Sequence, residues 1–147
     1  MNDCIFCKII NEEIPSFKIF ENQTHLAFLD INPNTRGTTL VIPKLHITST
    51  IINMDTTIYS DTLKTAKIIA ENLAQKLKVE KVGIAIEGTG VDHFHVKLYP
   101  FYINSKNVLN TTKEAVFNEF YPGYLTTQIG PQADFENLKE LAEELHF

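Results

Sequence analysis

The chain has 147 residues, a formal net charge of −5 and an apolar share of 44%. That length suits one domain over residues 1–147 with a proper core, and the acidic balance argues against nonspecific partners such as nucleic acid or an anionic membrane. No stretch approaches the roughly 20 apolar residues of a membrane span, and no basic-then-apolar leader opens the chain, so it reads as cytoplasmic.

In chain order, residues 4–10 suit a short helix or turn that Ile14-Pro15-Ser16 breaks. Phe17–Glu21 and Thr24–Ile31 read as strands joined by a tight turn at Glu21-Asn22-Gln23. Asn32-Pro33-Asn34-Thr35-Arg36-Gly37 is dense in turn residues, and Thr38–Ile42 is a third strand closed by Pro43. Ile58, Ala66, Ile69, Leu73 and Leu77 recur at helical spacing, which predicts one long amphipathic helix over about 57–78. Val82–Glu87 is a fourth strand, and Gly88-Thr89-Gly90 is a turn. In Val91–Pro100, Phe94, Val96 and Leu98 alternate with His93, His95 and Lys97. That period predicts a half-buried strand with two imidazoles and an ammonium on one face, ended by Pro100. Thr112–Phe120 and Asp134–Leu145 are two further helices, the second with Asp134 as cap and apolar Phe135, Leu138, Leu141 and Leu145. Strands mostly in sequence around one long helix imply an α+β fold with an antiparallel sheet of about five strands.

Cys4 and Cys7 form a C-x-x-C pair, which suits a redox motif or half of a zinc site. A redox pair usually follows a strand in a βαβ unit, and only three residues precede Cys4, so zinc is the better reading. Two thiolates then need two more ligands. His146 sits beside the C-terminus, and His25, inside a strand, is expected to be exposed or packed. That leaves His46 and one of the central pair, His93 and His95.

Cys4-Ile-Phe-Cys-Lys-Ile-Ile, Ile14-Pro-Ser, Phe28-Leu-Asp-Ile, Leu40-Val-Ile-Pro-Lys-Leu-His46 and His93-Phe-His-Val-Lys-Leu-Tyr-Pro together resemble the histidine triad (HIT) superfamily. The ordered blocks cover about residues 4–100, leaving 101–147 as an extension. The resemblance implies a HIT-like α+β fold with C-terminal helices, commonly a homodimer. It implies hydrolysis or transfer at the α-phosphate of an adenosine or guanosine derivative, a phosphoramidate or dinucleoside polyphosphate, through a nucleotidyl-histidine. The alternative is a catalytically weak nucleotide-binding or interaction module on a decayed triad scaffold.

The resemblance also implies a structural zinc on Cys4, Cys7, His46 and His93. Two thiolates and two neutral imidazoles would close a tetrahedral site without net charge. His95 matches the nucleophile, which needs one ring nitrogen fixed by a hydrogen bond and the other aimed at phosphorus. Asp30 matches the acid that receives the ribose hydroxyls; read alone, it is a turn-initiating Asp before Asn32-Pro33. Ile5, Phe6 and Phe28 correspond to an apolar slot for the purine. Three departures stand out. Lys97 replaces the third histidine, the loop before the triad is shortened to Glu87–Val91, and the phosphate-binding Asn and Gln positions fall near Ala85 or Ile86 and near Thr89. Lys97 is then either a replacement phosphate ligand or an exposed strand-end residue. In the 121–131 segment, Thr126, Thr127 and Gln128 are the further donors expected to serve a phosphate.

Overall fold

The computed structural model describes residues 3–102 and 132–147. Its element order is α1 (Ile5–Ile10), β1 (Lys18–Glu21), β2 (His25–Leu29), β3 (Thr39–Pro43), α2 (Thr56–Leu77), β4 (Lys81–Ala85), β5 (Val96–Phe101) and α3 (Phe135–Leu145). The five strands form one antiparallel sheet in the order β1-β2-β3-β5-β4.

Local chemistry sets the boundaries. Asn22 Oδ1 accepts from the backbone N–H of Thr24 and His25, an Asx turn that fixes the β1–β2 hairpin. Asp55 caps α2 by accepting from Thr57 N–H and Ile58 N–H, and Lys78 ends it in the left-handed region at φ 55°. Asp134 caps α3 through Asn137 N–H, as the sequence predicts, although Phe135 lies exposed. Gly37 has φ +83°, and a Cβ there would stand 2.7 Å from Leu77 Cδ1, so the turn into β3 needs glycine.

All five residues of β2 and of β3 are buried, because the sheet is covered on both faces. One face packs Ala27, Leu29, Val41, Val96 and Leu98 against Ile69 and Leu73 of α2 and Leu138, Leu141 and Leu145 of α3. Each valine, leucine and isoleucine among them contributes about 1.5–3 kcal/mol of burial, so this larger core fixes the scaffold. The other face packs Leu26, Phe28, Leu40 and Ile42 against Phe6 and Ile9 of α1.

Strand boundaries differ from the sequence reading: β2 ends at Leu29 rather than Ile31, β3 includes Pro43 rather than closing before it, and the larger shifts fall at β4 and β5. β4 ends at Ala85, two residues before Glu87, and β5 starts only at Val96. Residues 91–93 form a bend in which His93 N–H bonds to Val91 C=O at 2.8 Å, and Phe94 and His95 lie between that bend and the ladder, where Phe94 N–H bonds to Ile47 C=O at 2.7 Å instead of to a strand. Pro100 does not end β5 but pairs with Val82 inside it. The expected helix over Thr112–Phe120 and the 121–131 segment lie outside the described residues.

Candidate active site

Two adjoining constellations sit on the α1 side of the sheet. In the first, Cys4 and Cys7 flank the first turn of α1, His46 follows β3, and His93 precedes β5. Cys4 Sγ lies 3.5 Å from His93 Nδ1, and Cys7 Sγ lies 3.3 Å from His46 Nδ1 and 3.6 Å from His93 Nδ1. All four ligand atoms fall within 4.8 Å of one another. A tetrahedral zinc with Zn–S about 2.3 Å and Zn–N about 2.0–2.1 Å places S and N about 3.6 Å apart, so the four residues fit that ion. His93 is fully buried, and its Nε2–H donates to Pro43 C=O at 2.9 Å. That bond fixes the tautomer and leaves the Nδ1 lone pair toward the thiols. Burial pushes the His93 pKa down, which favours the neutral ring a metal requires. Burial, and then the neighbouring Cys4, push the Cys7 thiol up; a dication between the sulfurs would reverse that.

The second constellation is a cleft of about 460 Å³. Ile5, Phe6, Phe28, Asp30, Thr89, His95 and Lys97 all line it, and so do Ile9, Ile14, Ser16, Asn32 and Glu87. The structure thus brings the sequence-predicted slot, acid, nucleophile and lysine to one cavity; Gln128 lies outside the described residues. Phe6 meets Phe28 edge-on at 5.7 Å and His95 at 5.4 Å, so the apolar wall also packs the imidazole.

His95 keeps 4% of its surface exposed, and its Nδ1–H donates to His93 C=O at 2.8 Å. Burial lowers its pKa; the His93 carbonyl opposes this and the Lys97 charge adds to it. The neutral ring therefore carries its free lone pair on Nε2. Asp30 both initiates a turn and faces the cleft: Oδ1 accepts from Asn32 N–H at 2.8 Å, while Oδ2 lies 3.7 Å from Lys97 Nζ. Lys97 is not an exposed strand-end residue, since its side chain retains 15% exposure.

One positioning cluster escapes the sequence reading. Asp92 Oδ1 accepts from Thr48 Oγ1–H at 2.7 Å and from Ser49 N–H at 2.8 Å, and these bonds hold its carboxyl below the usual range. Ser49 Oγ–H lies 3.0 Å from Gly88 C=O and 3.1 Å from Asp92 Oδ1. Gly88 has φ +68°, and a Cβ there would stand 2.9 Å from Ser49 O. The shortened loop carrying Glu87 and Thr89 is thereby tied to the segment carrying His46. Only the Gly-x-Gly spacing hints at this, and it names no partner.

The chain is 46% identical over 104 residues to an uncharacterized HIT-like protein of Borreliella burgdorferi, covering 67% of this chain and 74% of that one. It is 40% identical over 103 residues to an adenosine 5′-monophosphoramidase of Saccharomyces cerevisiae, covering 66% of this chain and 61% of the yeast protein. The fold superposes on the crystal structure of a zinc-bound histidine triad family protein from Mycobacterium smegmatis with a TM-score of 0.69 at 24% identity, covering 98% and 91% of the two chains. The family model for the HIT domain matches residues 11–101, and the chain belongs to that family.

Proposed function

We propose that the chain is a nucleotide hydrolase or transferase acting at the α-phosphate of a purine nucleoside phosphate. One observation carries the reading: a buried, neutral His95 whose Nδ1–H is committed to a backbone carbonyl and whose ring lines the cleft. Nε2 would attack phosphorus, the leaving group would depart with the bonding electrons, and water would then cleave the phosphorus–nitrogen bond. The slot of Ile5, Phe6 and Phe28 suits a purine face, Asp30 Oδ2 suits a ribose hydroxyl, and Lys97 supplies a fixed positive charge for phosphate oxygens. Similarity to the yeast adenosine 5′-monophosphoramidase supports the phosphoramidate class.

Cys4, Cys7, His46 and His93 would hold zinc as a closed site with no open position, so the metal ties segments together and takes no part in the chemistry.

The test is incubation with adenosine 5′-phosphoramidate and with dinucleoside polyphosphates, followed by peptide mapping for a nucleotidyl adduct. The wild type should be labelled on His95. His95→Asn should retain nucleotide binding and lose at least about 10³ in turnover, the scale of losing a nucleophile. Binding without labelling or turnover would support the interaction-module alternative instead.

A further inference from the structure

Lys97 occupies the third triad position, yet its ammonium is not idle in the cleft. Nζ lies 3.7 Å from Asp30 Oδ2, and the two side chains retain only 15% and 14% exposure. Asp30 Oδ1 is already engaged by Asn32 N–H at 2.8 Å. The Asp30 oxygen not committed to backbone is therefore the one the ammonium holds. Register explains the approach: Lys97 pairs across β3 with Leu40, Leu40 pairs with Phe28, and Asp30 follows Phe28 on the same side of the sheet.

We propose that Lys97 and Asp30 form a charge latch that makes the cleft select nucleotides over the corresponding nucleosides. The inference rests on the nucleotide reading above and deepens it. A ribose diol reaching Oδ2 displaces the ammonium from a partly sequestered carboxylate. A nucleoside gives the displaced charge no new partner, so its binding is weakened by the lost pair. A nucleotide carries a phosphate on the same ribose, toward His95. Lys97 and His95 are two residues apart and both line the cleft, which puts a phosphate on His95 within reach of the flexible lysine stem. The ammonium then passes from one anion to another, and the pair lost at Asp30 is replaced at the phosphate.

Calorimetric titration of adenosine, AMP and 2′,3′-dideoxyadenosine into wild type and Lys97→Met tests this. Lys97→Gln serves as a second variant, and metal content and melting temperature check that each folds. Removing the ammonium should tighten adenosine by about fivefold and weaken AMP by at least about tenfold, as expected for an ion pair and a charge-assisted hydrogen bond. The dideoxynucleoside, which makes no demand on Oδ2, should bind both proteins equally. Adenosine binding no tighter to either variant, with AMP binding still weakened, overturns the latch and leaves the nucleotide reading standing. Equal tightening of the dideoxynucleoside also overturns it, since the effect would not pass through Asp30. Failure of the wild type to bind any of the three overturns both.

Discussion

His25 shows how a buried histidine can serve the scaffold alone. It is 5% exposed, is not part of the cleft lining, and its ring is satisfied at both nitrogens. Thr62 Oγ1–H donates to Ile58 C=O at 2.8 Å, so His25 Nε2–H donates to Thr62 Oγ1 at 3.0 Å. Nδ1 is then the acceptor for Thr24 Oγ1–H at 2.8 Å. That arrangement fits a neutral ring, and burial pushes the pKa below its ordinary value against the opposing Asp61 charge. The unfolded chain then binds more protons than the folded one just below the unfolded pKa of about 6.5, so this contribution to stability is present above that pH and lost as pH falls through the window beneath it. His95 acts in the same direction, so the comparison must be differential. Melting temperatures from pH 7.5 down to 5 should fall less steeply for His25→Gln than for wild type. Parallel curves would show that His25 is not held neutral. The sequence offers exposed or packed for this residue; its partner Thr62 lies 37 positions away, and nothing local announces it.

At the scale of elements, Cys4, Cys7, His46 and His93 bring α1 together with the segments that follow β3 and precede β5. α1 is six residues long with no side-chain cap bond at its N-terminus, too short to persist by itself. Cys4 and Cys7 bracket Ile5 and Phe6, so the ion that fixes the sulfurs would also fix the slot wall. Chelation of a zinc-loaded protein should therefore make both thiols reactive, lower the melting temperature by about 10 °C or more, and weaken nucleotide binding. Elemental analysis of protein purified without added metal should give one zinc per chain. Well under one equivalent, with both thiols freely reactive in the native state, would refute the assignment. Elements with an unambiguous period were legible: α2 is expected over 57–78 and found at Thr56–Leu77. The start of β5 was not, because apolar–polar alternation continues unchanged through His93–His95 while His93 N–H turns back to Val91 C=O and Phe94 N–H goes to Ile47 C=O, away from the ladder. Likewise the C-x-x-C pair and the central histidines announce a metal, but the Pro43 carbonyl that orients His93 lies 50 residues away.

For the whole molecule, the two faces of the sheet are accounted for by α1 on one side and α2 and α3 on the other, which leaves the edges. Among the described residues β4 pairs only with β5, so one row of its backbone N–H and C=O groups faces outward. Unprotected edges of this kind invite a second strand. Ile84 on β4 is 46% exposed and Ile68 on α2 is 51% exposed, which leaves an apolar side chain on each element open to a partner. We infer a homodimer in which β4 of one protomer lies antiparallel to β4 of its partner, since a two-fold axis places the same patch on both sides. Gly83 at the centre of β4 adds no bulk, and a Cβ there would stand 2.6 Å from the Phe101 ring, so the strand is kept slim at the middle. Light scattering at micromolar concentration should report twice the 16.7 kDa chain mass for wild type. The Ile68→Lys, Ile84→Lys double variant should bring that mass down to one chain with little change in melting temperature at high dilution, because both side chains face water in the single chain. A wild type that scatters as one chain, or a double variant that still scatters as two, would move the interface elsewhere or remove it.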